Sequence, residues 1–158
     1  MLRRFAAALA AAWFMAACSS SSPTFSLSGA TVDPTYRCPG GASNAPYDVH
    51  ATIKARNDTS KAVTIQSATA EMVLAAIKGK WLEPVGDRYD AGSVAVSPTR
   101  VAAGSSATLT LTIPSACTSG PHGSTTSSSG SYQVKLHLVT SAGAFSIDAS
   151  NRHEILAA

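Results

Sequence analysis

The sequence predicts an all-β protein, a single antiparallel β-sandwich of about seven strands. Short stretches in which apolar and polar residues alternate recur at intervals of about 8 to 12 residues, as they do in sandwich domains. Clusters of Gly, Pro, Asn, Asp and Ser separate these stretches and predict turns. No part of the domain shows the strong amphipathic period of a surface helix, so layers of strands are the favoured architecture.

The clearest strand lies in the first half of the chain. Residues 47–56 place polar residues on one face and apolar ones on the other, and the apolar set is Tyr47, Val49, Ala51, Ile53 and Ala55. A shorter alternation over residues 24–30 predicts a first strand at a sheet edge. Residues 31–46, rich in Pro and Gly around Cys38, predict a turn-rich connection.

A turn and an ambiguous stretch follow. Residues 57–60 offer turn chemistry, because Asn and Asp side chains bond their own main chain. Residues 62–67 resume as a strand that we expect to pair with 47–56. Residues 68–77 are rich in helix-favouring Ala, Glu, Met and Leu, but their β-like neighbours favour a strand over a helix. Residues 81–82 are then the expected return arm of a hairpin.

The second half alternates loops and strands. Residues 83–93 predict a loop from their Pro, Gly and Asp content, and 94–96 a short strand. In residues 100–114 a Gly turn leads to a strand whose apolar face is Ala107, Leu109, Leu111 and Ile113. Residues 118–131 are Gly, Ser and Thr almost throughout, and we expect a flexible, exposed loop there.

The chain ends in a predicted hairpin. Residues 132–140 place apolar side chains inward, a Ser-Ala-Gly turn follows, and residues 144–149 return. Ile155 and Leu156 are expected to add a last pairing.

The order of strands resembles an immunoglobulin-like or fibronectin-type-III-like domain over residues 25–156. The Gly-Ser-Ser turn before the Thr/Leu strand of 101–114, and the final hairpin, carry this resemblance. Cys38 precedes the second predicted strand, unlike the cysteines of antibody-type domains. We therefore expect a bridge from Cys38 to Cys117 to tie loops at the rim and not to cross the core against Trp81.

The N-terminal segment has the order of an export signal. Arg3 and Arg4 precede the apolar residues 5–17, which end in Met-Ala-Ala before Cys18. A helix of this length spans about 20 Å, less than the roughly 30 Å of a bilayer core. The segment resembles the lipobox signal of bacterial lipoproteins.

That resemblance implies removal of residues 1–17 and a covalent lipid on Cys18, which would anchor the protein to a membrane outside the cytoplasm, at the periplasmic face or the cell surface. Residues 18–23 would form a Ser-rich tether and 24–158 the β-sandwich domain. Two or three acyl chains are needed for a stable anchor. The alternatives are an ordinary secretory signal, which would leave Cys18 as a free thiol, and an uncleaved short helix.

Charge and cysteine content narrow the function classes. The chain has twelve basic and nine acidic residues, and loss of Arg3 and Arg4 leaves ten against nine. The sequence has no cluster of basic residues with interleaved aromatics, so nothing in its charge pattern indicates nucleic-acid binding. Cys38 and Cys117 remain as one expected disulfide pair. Two buried thiols are the alternative, and a metal pair is disfavoured because neither cysteine has another Cys or His within four residues.

No residue group indicates catalysis or a cofactor. Asp48 and His50 share a strand face, but no nucleophile motif accompanies them. Glu83, Asp87 and Asp90 offer calcium-type oxygens without the spacing of a calcium loop, so turn residues and an Arg88 ion pair explain them better.

The aromatics beside these acids define a candidate partner-contact loop, which consists of Trp81, Asp87, Arg88, Tyr89 and Asp90. Trp81 as an ordinary core residue is the alternative.

The predicted function is that of a non-catalytic, lipid-anchored envelope protein, a binding or structural module. Its expected partners are the membrane, through the lipid on Cys18, and an envelope protein; no small-molecule substrate is indicated. The alternatives are an accessory subunit of an envelope transport or secretion complex, a small hydrolase or metal-binding protein, and a module for glycans or peptides.

Overall fold

The computed structural model describes residues 24–119 and 128–157, and the regular elements in these ranges are all strands. Their bounds are β1 Phe25–Val32, β2 Thr35–Cys38, β3 Ala45–Asn57, β4 Val63–Lys78, β5 Arg88–Ser93, β6 Ala95–Ser97, β7 Arg100–Val101, β8 Ser105–Cys117, β9 Ser128–Thr140, β10 Gly143–Asp148 and β11 His153–Ala157. The all-β class is confirmed. No helix of the described residues is long and apolar enough to cross a membrane.

The strands form two facing sheets. One sheet has the order β1-β3-β8-β6, and the other has the order β2-β11-β9-β4-β5, with β10 also beside β9 and β7 beside β4. Apolar side chains from both sheets fill the space between them, and the most deeply buried include Val49, Ile53, Met72, Leu74, Leu109, Leu111, Ile113, Val134, Leu136 and Leu138. This arrangement is the predicted β-sandwich.

The ambiguous residues 68–77 belong to β4 and are a strand, as predicted. Ala68, Ala70, Met72 and Leu74 are buried at every second position, and β4 pairs with β9 along most of its length. Helix propensity is worth only a few tenths of a kcal/mol per residue. The burial of one apolar face and a full ladder of hydrogen bonds therefore decide the conformation.

The expected pairing of residues 47–56 with 62–67 is wrong. β3 lies between β1 and β8, whereas β4 lies in the opposite sheet between β9 and β5. Both strands have an apolar inner face, and both faces contribute to the core between the sheets. Alternation identifies the buried face of a strand but not its hydrogen-bonded neighbour.

Three further local predictions need correction. Residues 31–46 contain the short strand β2, which runs parallel to β11. Residues 128–131 begin β9, and Ser128, Ser129 and Gly130 are buried; residues 120–127 of the predicted flexible loop lie outside the described residues. The return arm of β4 is β5, within the predicted loop 83–93, and Trp81 lies in the connection before it.

Cys38 and Cys117 form the predicted disulfide, with their Cα atoms 5.9 Å apart. Its position differs from the expectation, because each cysteine ends a strand and the two strands, β2 and β8, belong to different sheets. Both residues are buried. The bridge therefore joins the two sheets at one end of the sandwich and does not link loops at the rim.

The sandwich has two distinct ends. The described chain enters at Thr24, beside the turn that follows Asn57, since the Asp58 amide donates to the Thr24 carbonyl. Ala45 pairs with Cys117 at the other end of β3, and β4 reaches that end at Lys78. At about 3.3 Å per residue, the thirteen residues of β3 separate the two ends by roughly 40 Å. The end that holds Cys117 and Lys78 is termed the distal end.

Candidate functional site

The five residues of the predicted contact loop extend from the distal end towards the middle of β4, and only two of them lie in a loop. Trp81 and Asp87 belong to the connection 79–87, whereas Arg88, Tyr89 and Asp90 open strand β5. β5 pairs with β4 through Val73 and Arg88, Met72 and Tyr89, and Glu71 and Asp90. The loop prediction failed here because β5 is a largely exposed edge strand without apolar alternation.

Hydrogen bonds hold the connection 79–87 against β4. The Gly86 amide donates to the Leu74 carbonyl (2.8 Å), and the Leu74 amide donates to the Asp87 carbonyl (2.9 Å). The Asp87 amide also donates to Pro84 O (3.1 Å), and Gly86 has a φ of +100°. That bond and the positive φ at the third residue match a type II turn, so the chain presents Val85 at a fixed turn tip.

A cleft of about 180 Å³ opens between this connection, β5 and the end of β8. Glu83, Asp87, Arg88 and Tyr89 line one wall, and Ser115 and Ala116 line the opposite wall. Buried Met72 and Ile155 also border it, together with Tyr132. Residues from both sheets therefore form the cleft, and three of the five predicted contact residues line it.

The charges of the cleft are unevenly compensated. Arg88 Nη1 donates to Glu71 Oε1 at 2.6 Å, so the predicted ion pair of Arg88 is made with a β4 residue that sequence reasoning missed. Glu83 and Asp87 form no ion pair within the described residues. Asp90 lies outside the cleft lining and accepts a hydrogen bond from the Gly92 amide (2.8 Å), as a turn residue does. The cleft therefore carries net negative charge at its rim.

Burial raises the pKa of Tyr132 above its ordinary value of 10.0, and the charges of Glu83 and Asp87 act in the same direction. The hydrogen bond from Trp81 Nε1 to Tyr132 Oη (3.3 Å) opposes this shift. The Tyr132 hydroxyl therefore stays neutral in the cleft over the physiological range.

Trp81 is half buried and packs against the core. Its ring lies on Gly130 of β9 so closely that a Cβ at position 130 would overlap with the indole. Sequence reasoning could not identify this contact, because the two residues come from separate segments.

Tyr89 connects the sheets across the cleft. Its hydroxyl donates to the Pro114 carbonyl at 3.2 Å, which links β5 of one sheet to β8 of the other. Leu82 and Val85, in the connection 79–87, have 73% and 57% of their surface exposed. The distal end thus combines an acidic cleft with exposed apolar side chains.

Other titratable groups do not themselves line the cleft. His50 shares a strand face with Asp48, but its Nδ1 bonds to the Asp33 carboxylate, at 3.0 Å from Oδ2. His153 is buried, with Nδ1 donating to the Asp33 carbonyl (2.7 Å) and Nε2 accepting from Tyr47 Oη (3.1 Å). Tyr47 in turn stacks on Tyr36 with ring centroids 3.7 Å apart.

Burial lowers the pKa of His153, and it raises the pKa of Tyr47 to about 12. Within residues 24–119 and 128–157, no group of three His, Cys, Asp or Glu side chains is placed to hold a metal ion. His122 falls outside these ranges.

Comparisons with known proteins give structural similarity at very low sequence identity. No family model matches the chain, and no curated protein matches it. AggA, the major subunit of aggregative adherence fimbriae type I from Escherichia coli, is similar with a TM-score of 0.40 and 8% identity, covering 87% of this chain and 98% of that chain. The ASH / PapD-like domain 7 of human CEP192 is similar with a TM-score of 0.33 and 9% identity, covering 96% of this chain and 98% of that chain.

Proposed function

We propose that the protein is a non-catalytic, lipid-anchored protein of the cell envelope, whose sandwich binds a partner protein at its distal end. The observation that carries the proposal is the position of the cleft and of exposed Leu82 and Val85, at the end of the sandwich opposite Thr24. Hydrogen bonds to Leu74 hold the connection 79–87 in place. A fixed surface loses less conformational entropy on binding than a mobile one.

The anchor and the cleft fit together geometrically. If Cys18 carries the lipid, the six residues 18–23 span at most about 20 Å of extended chain. Thr24 would then lie close to the membrane surface, and the distal end would lie roughly 40 Å farther out along β3. The cleft would therefore face other envelope proteins and not the headgroups of its own membrane.

The anchor is tested by membrane fractionation of cells that produce Cys18→Ala, with Ser19→Ala as the control. We expect Cys18→Ala to leave the membrane fraction or to remain unprocessed, because the acceptor of the lipid is gone. Mass spectrometry of the N-terminal peptide reports both cleavage and acyl mass. Unchanged membrane retention together with a cleaved signal would refute the lipid assignment.

The binding role is tested by photo-crosslinking in intact cells. A photoreactive amino acid at position 85 should give discrete protein adducts, and one at position 26, on the exposed part of β1 near the entry end, should not. Both sites are solvent-exposed, so a difference between them reflects partner contact. Equal labelling at both positions, or none at position 85, would contradict a distal binding surface.

A further inference from the structure

We propose that the partner enters the distal cleft as an extended polypeptide segment, which pairs with the open edge of β8 at Ala116 and places a Lys or Arg side chain against Glu83 and Asp87. The inference deepens the proposed binding function and rests on it. Three independent observations carry it: the register of β8, the uncompensated charge of the cleft and the size of the cleft.

The outer edge of β8 is only partly covered. β6 pairs with Thr110, Leu111 and Thr112 alone, while β8 continues to Cys117. The chain leaves this edge at Val94, whose amide donates to the Ala68 carbonyl in the other sheet (3.0 Å). Among the described residues, no strand therefore pairs with this edge beyond Thr112.

The backbone direction at Ala116 follows from the register. The His50 carbonyl accepts from the Asp33 amide and the His50 amide donates to the Asp33 carboxylate, both at 2.9 Å, so the His50 main chain points away from β8. His50 pairs with Thr112, and alternate residues of an antiparallel pair exchange hydrogen bonds. Thr112 and, two and four residues on, Pro114 and Ala116 therefore direct their main chain away from β3.

Two contacts agree with this direction. Ala95 of β6 pairs with Thr112 on the outer edge of β8. The Pro114 carbonyl accepts a hydrogen bond from the Tyr89 hydroxyl. Ala116 follows in the same orientation and lines the cleft. No described residue pairs with its N–H or C=O, so an added strand would find a donor and an acceptor there.

Pro114 limits the length of the added strand. It has no N–H, and Tyr89 holds its carbonyl, so a visiting segment exchanges main-chain hydrogen bonds chiefly with Ala116. Prolines at exposed edges restrict unselective strand pairing. The side chains of the segment must therefore contribute much of the affinity and the selectivity.

The charge and the size of the cleft favour a basic side chain as its occupant. Arg88 forms its ion pair with Glu71, whereas Glu83 and Asp87 form no ion pair with any described residue, and both lie close enough to raise the pKa of Tyr132. At about 180 Å³, the cleft is smaller than the roughly 300 Å³ at which drug-sized ligand sites begin. One long side chain fits the space. Apolar residues next to it in the bound segment would contact Leu82 and Val85.

The experiment selects peptides on the full-length protein in mild detergent from a phage-displayed random heptapeptide library. We expect enriched sequences to share one Lys or Arg between apolar or β-branched residues. The best peptide is then synthesised, and its Kd is measured for the unchanged protein and for the double variant Glu83→Gln/Asp87→Asn. We expect the double variant to bind about tenfold more weakly, as for loss of one partly desolvated charge pair.

The matched control is Asp58→Asn/Asp148→Asn, which removes the same charge from exposed ion pairs elsewhere on the surface. It should bind like the unchanged protein. A peptide N-methylated at the backbone amide that faces Ala116 should also bind about tenfold more weakly, because N-methylation removes one donor of the strand pairing. Peptides N-methylated at each backbone amide in turn are compared by their Kd. One position should weaken binding clearly more than the others.

The outcomes separate this inference from the proposed function. Enriched peptides without a basic residue, equal binding to Glu83→Gln/Asp87→Asn, or no enrichment at all would overturn the peptide inference. Position-85 adducts in cells would still support a distal binding module in each of these cases. Absence of such adducts contradicts the binding module itself.

Discussion

The indole of Trp81 rests directly on the backbone of Gly130, and the same indole donates a hydrogen bond to Tyr132 Oη two residues farther along β9. Trp81 belongs to the connection 79–87 and thus fixes one side of the distal cleft to the sheet. Position 130 must be glycine for this contact, because any Cβ would overlap with the ring.

Gly130→Ala is therefore expected to displace Trp81 and to lower the free energy of unfolding by about 1–3 kcal/mol, the usual cost of overpacking. The chain contains two tryptophans, and Trp13 lies in the predicted signal, so the fluorescence of the mature protein reports Trp81. Its emission should shift to longer wavelength as the ring moves into solvent.

A double-mutant cycle with Trp81→Ala isolates the contact. In that background Gly130→Ala should cost much less than in the unchanged protein, because no ring remains to be displaced. Urea unfolding followed by circular dichroism measures all four proteins. Equal costs in both backgrounds would show that the overlap with Trp81 is not the cause.

The Cys38–Cys117 bridge should contribute strongly to stability. It closes a loop with a sequence separation of 79 residues, for which the chain-entropy model gives an upper value of about 4.5 kcal/mol. We expect Cys38→Ala/Cys117→Ala to unfold at clearly lower urea concentration. The unchanged protein in excess reductant serves as the control and should approach the double variant; a double variant as stable as the oxidised protein would contradict this assignment.

Asn57 should be the most sensitive polar residue of the sandwich. Its side chain is fully buried, at 0% exposed; Nδ2 donates to the carbonyls of Lys61, Val101 and Ala102, and Oδ1 accepts from Thr59. Asn57→Ala leaves these groups unpaired, so the free energy of unfolding should fall by at least about 2 kcal/mol. Urea unfolding measures the loss.

Asp58→Ala is the control for Asn57. Asp58 is exposed and pairs with Arg56 at 2.7 Å, and exposed ion pairs contribute less than about 1 kcal/mol. If the two variants lose equal stability, the Asn57 network does not hold the turn.

His153 should make stability depend on pH. Its folded-state pKa is lowered from the ordinary value of 6.5, mainly by burial, so below that value the unfolded chain binds a proton that the folded chain resists. The contribution of neutral His153 to the free energy of unfolding is fully present above about pH 6.5. It is lost as the pH falls below that value, by at most about 1.4 kcal/mol per pH unit. Protonation of Nε2 would also remove the acceptor for Tyr47.

The measurement is urea unfolding at pH 7.5 and 5.0. His153→Gln should be less stable than the unchanged protein at pH 7.5, and the difference should narrow at pH 5.0. His137→Gln is the control, since His137 is only partly buried and its side chain bonds to Ser146. A constant difference between His153→Gln and the unchanged protein across this range would exclude His153 as a source of the dependence.

Local pattern was sufficient for the long central strands. β3, β8 and residues 132–140 of β9 alternate between buried positions and positions that are at least partly exposed, so their buried faces could be predicted one residue at a time. Counting cysteines sufficed for the disulfide pair. The short strand β2 and the exposed strand β5 were missed, because edge strands with little burial lack that alternation.

The candidate site was predicted only on one side. Asp87, Arg88 and Tyr89, which the contact-loop prediction named together, are close in sequence and line the cleft together. The opposite wall, with Ser115 and Ala116, comes from a strand of the other sheet. Nothing local in those residues signals a cleft.

The sequence by itself determined the β class, the inward faces of the main strands and the pair of cysteines, since these depend on residue type and a period of two. Only the tertiary structure decided that β3 and β4 belong to opposite sheets, that the disulfide joins those sheets, and which residues meet across the cleft. Strand pairing and side-chain contact depend on which distant segments bury their apolar faces together, and a one-dimensional pattern holds no information about that choice.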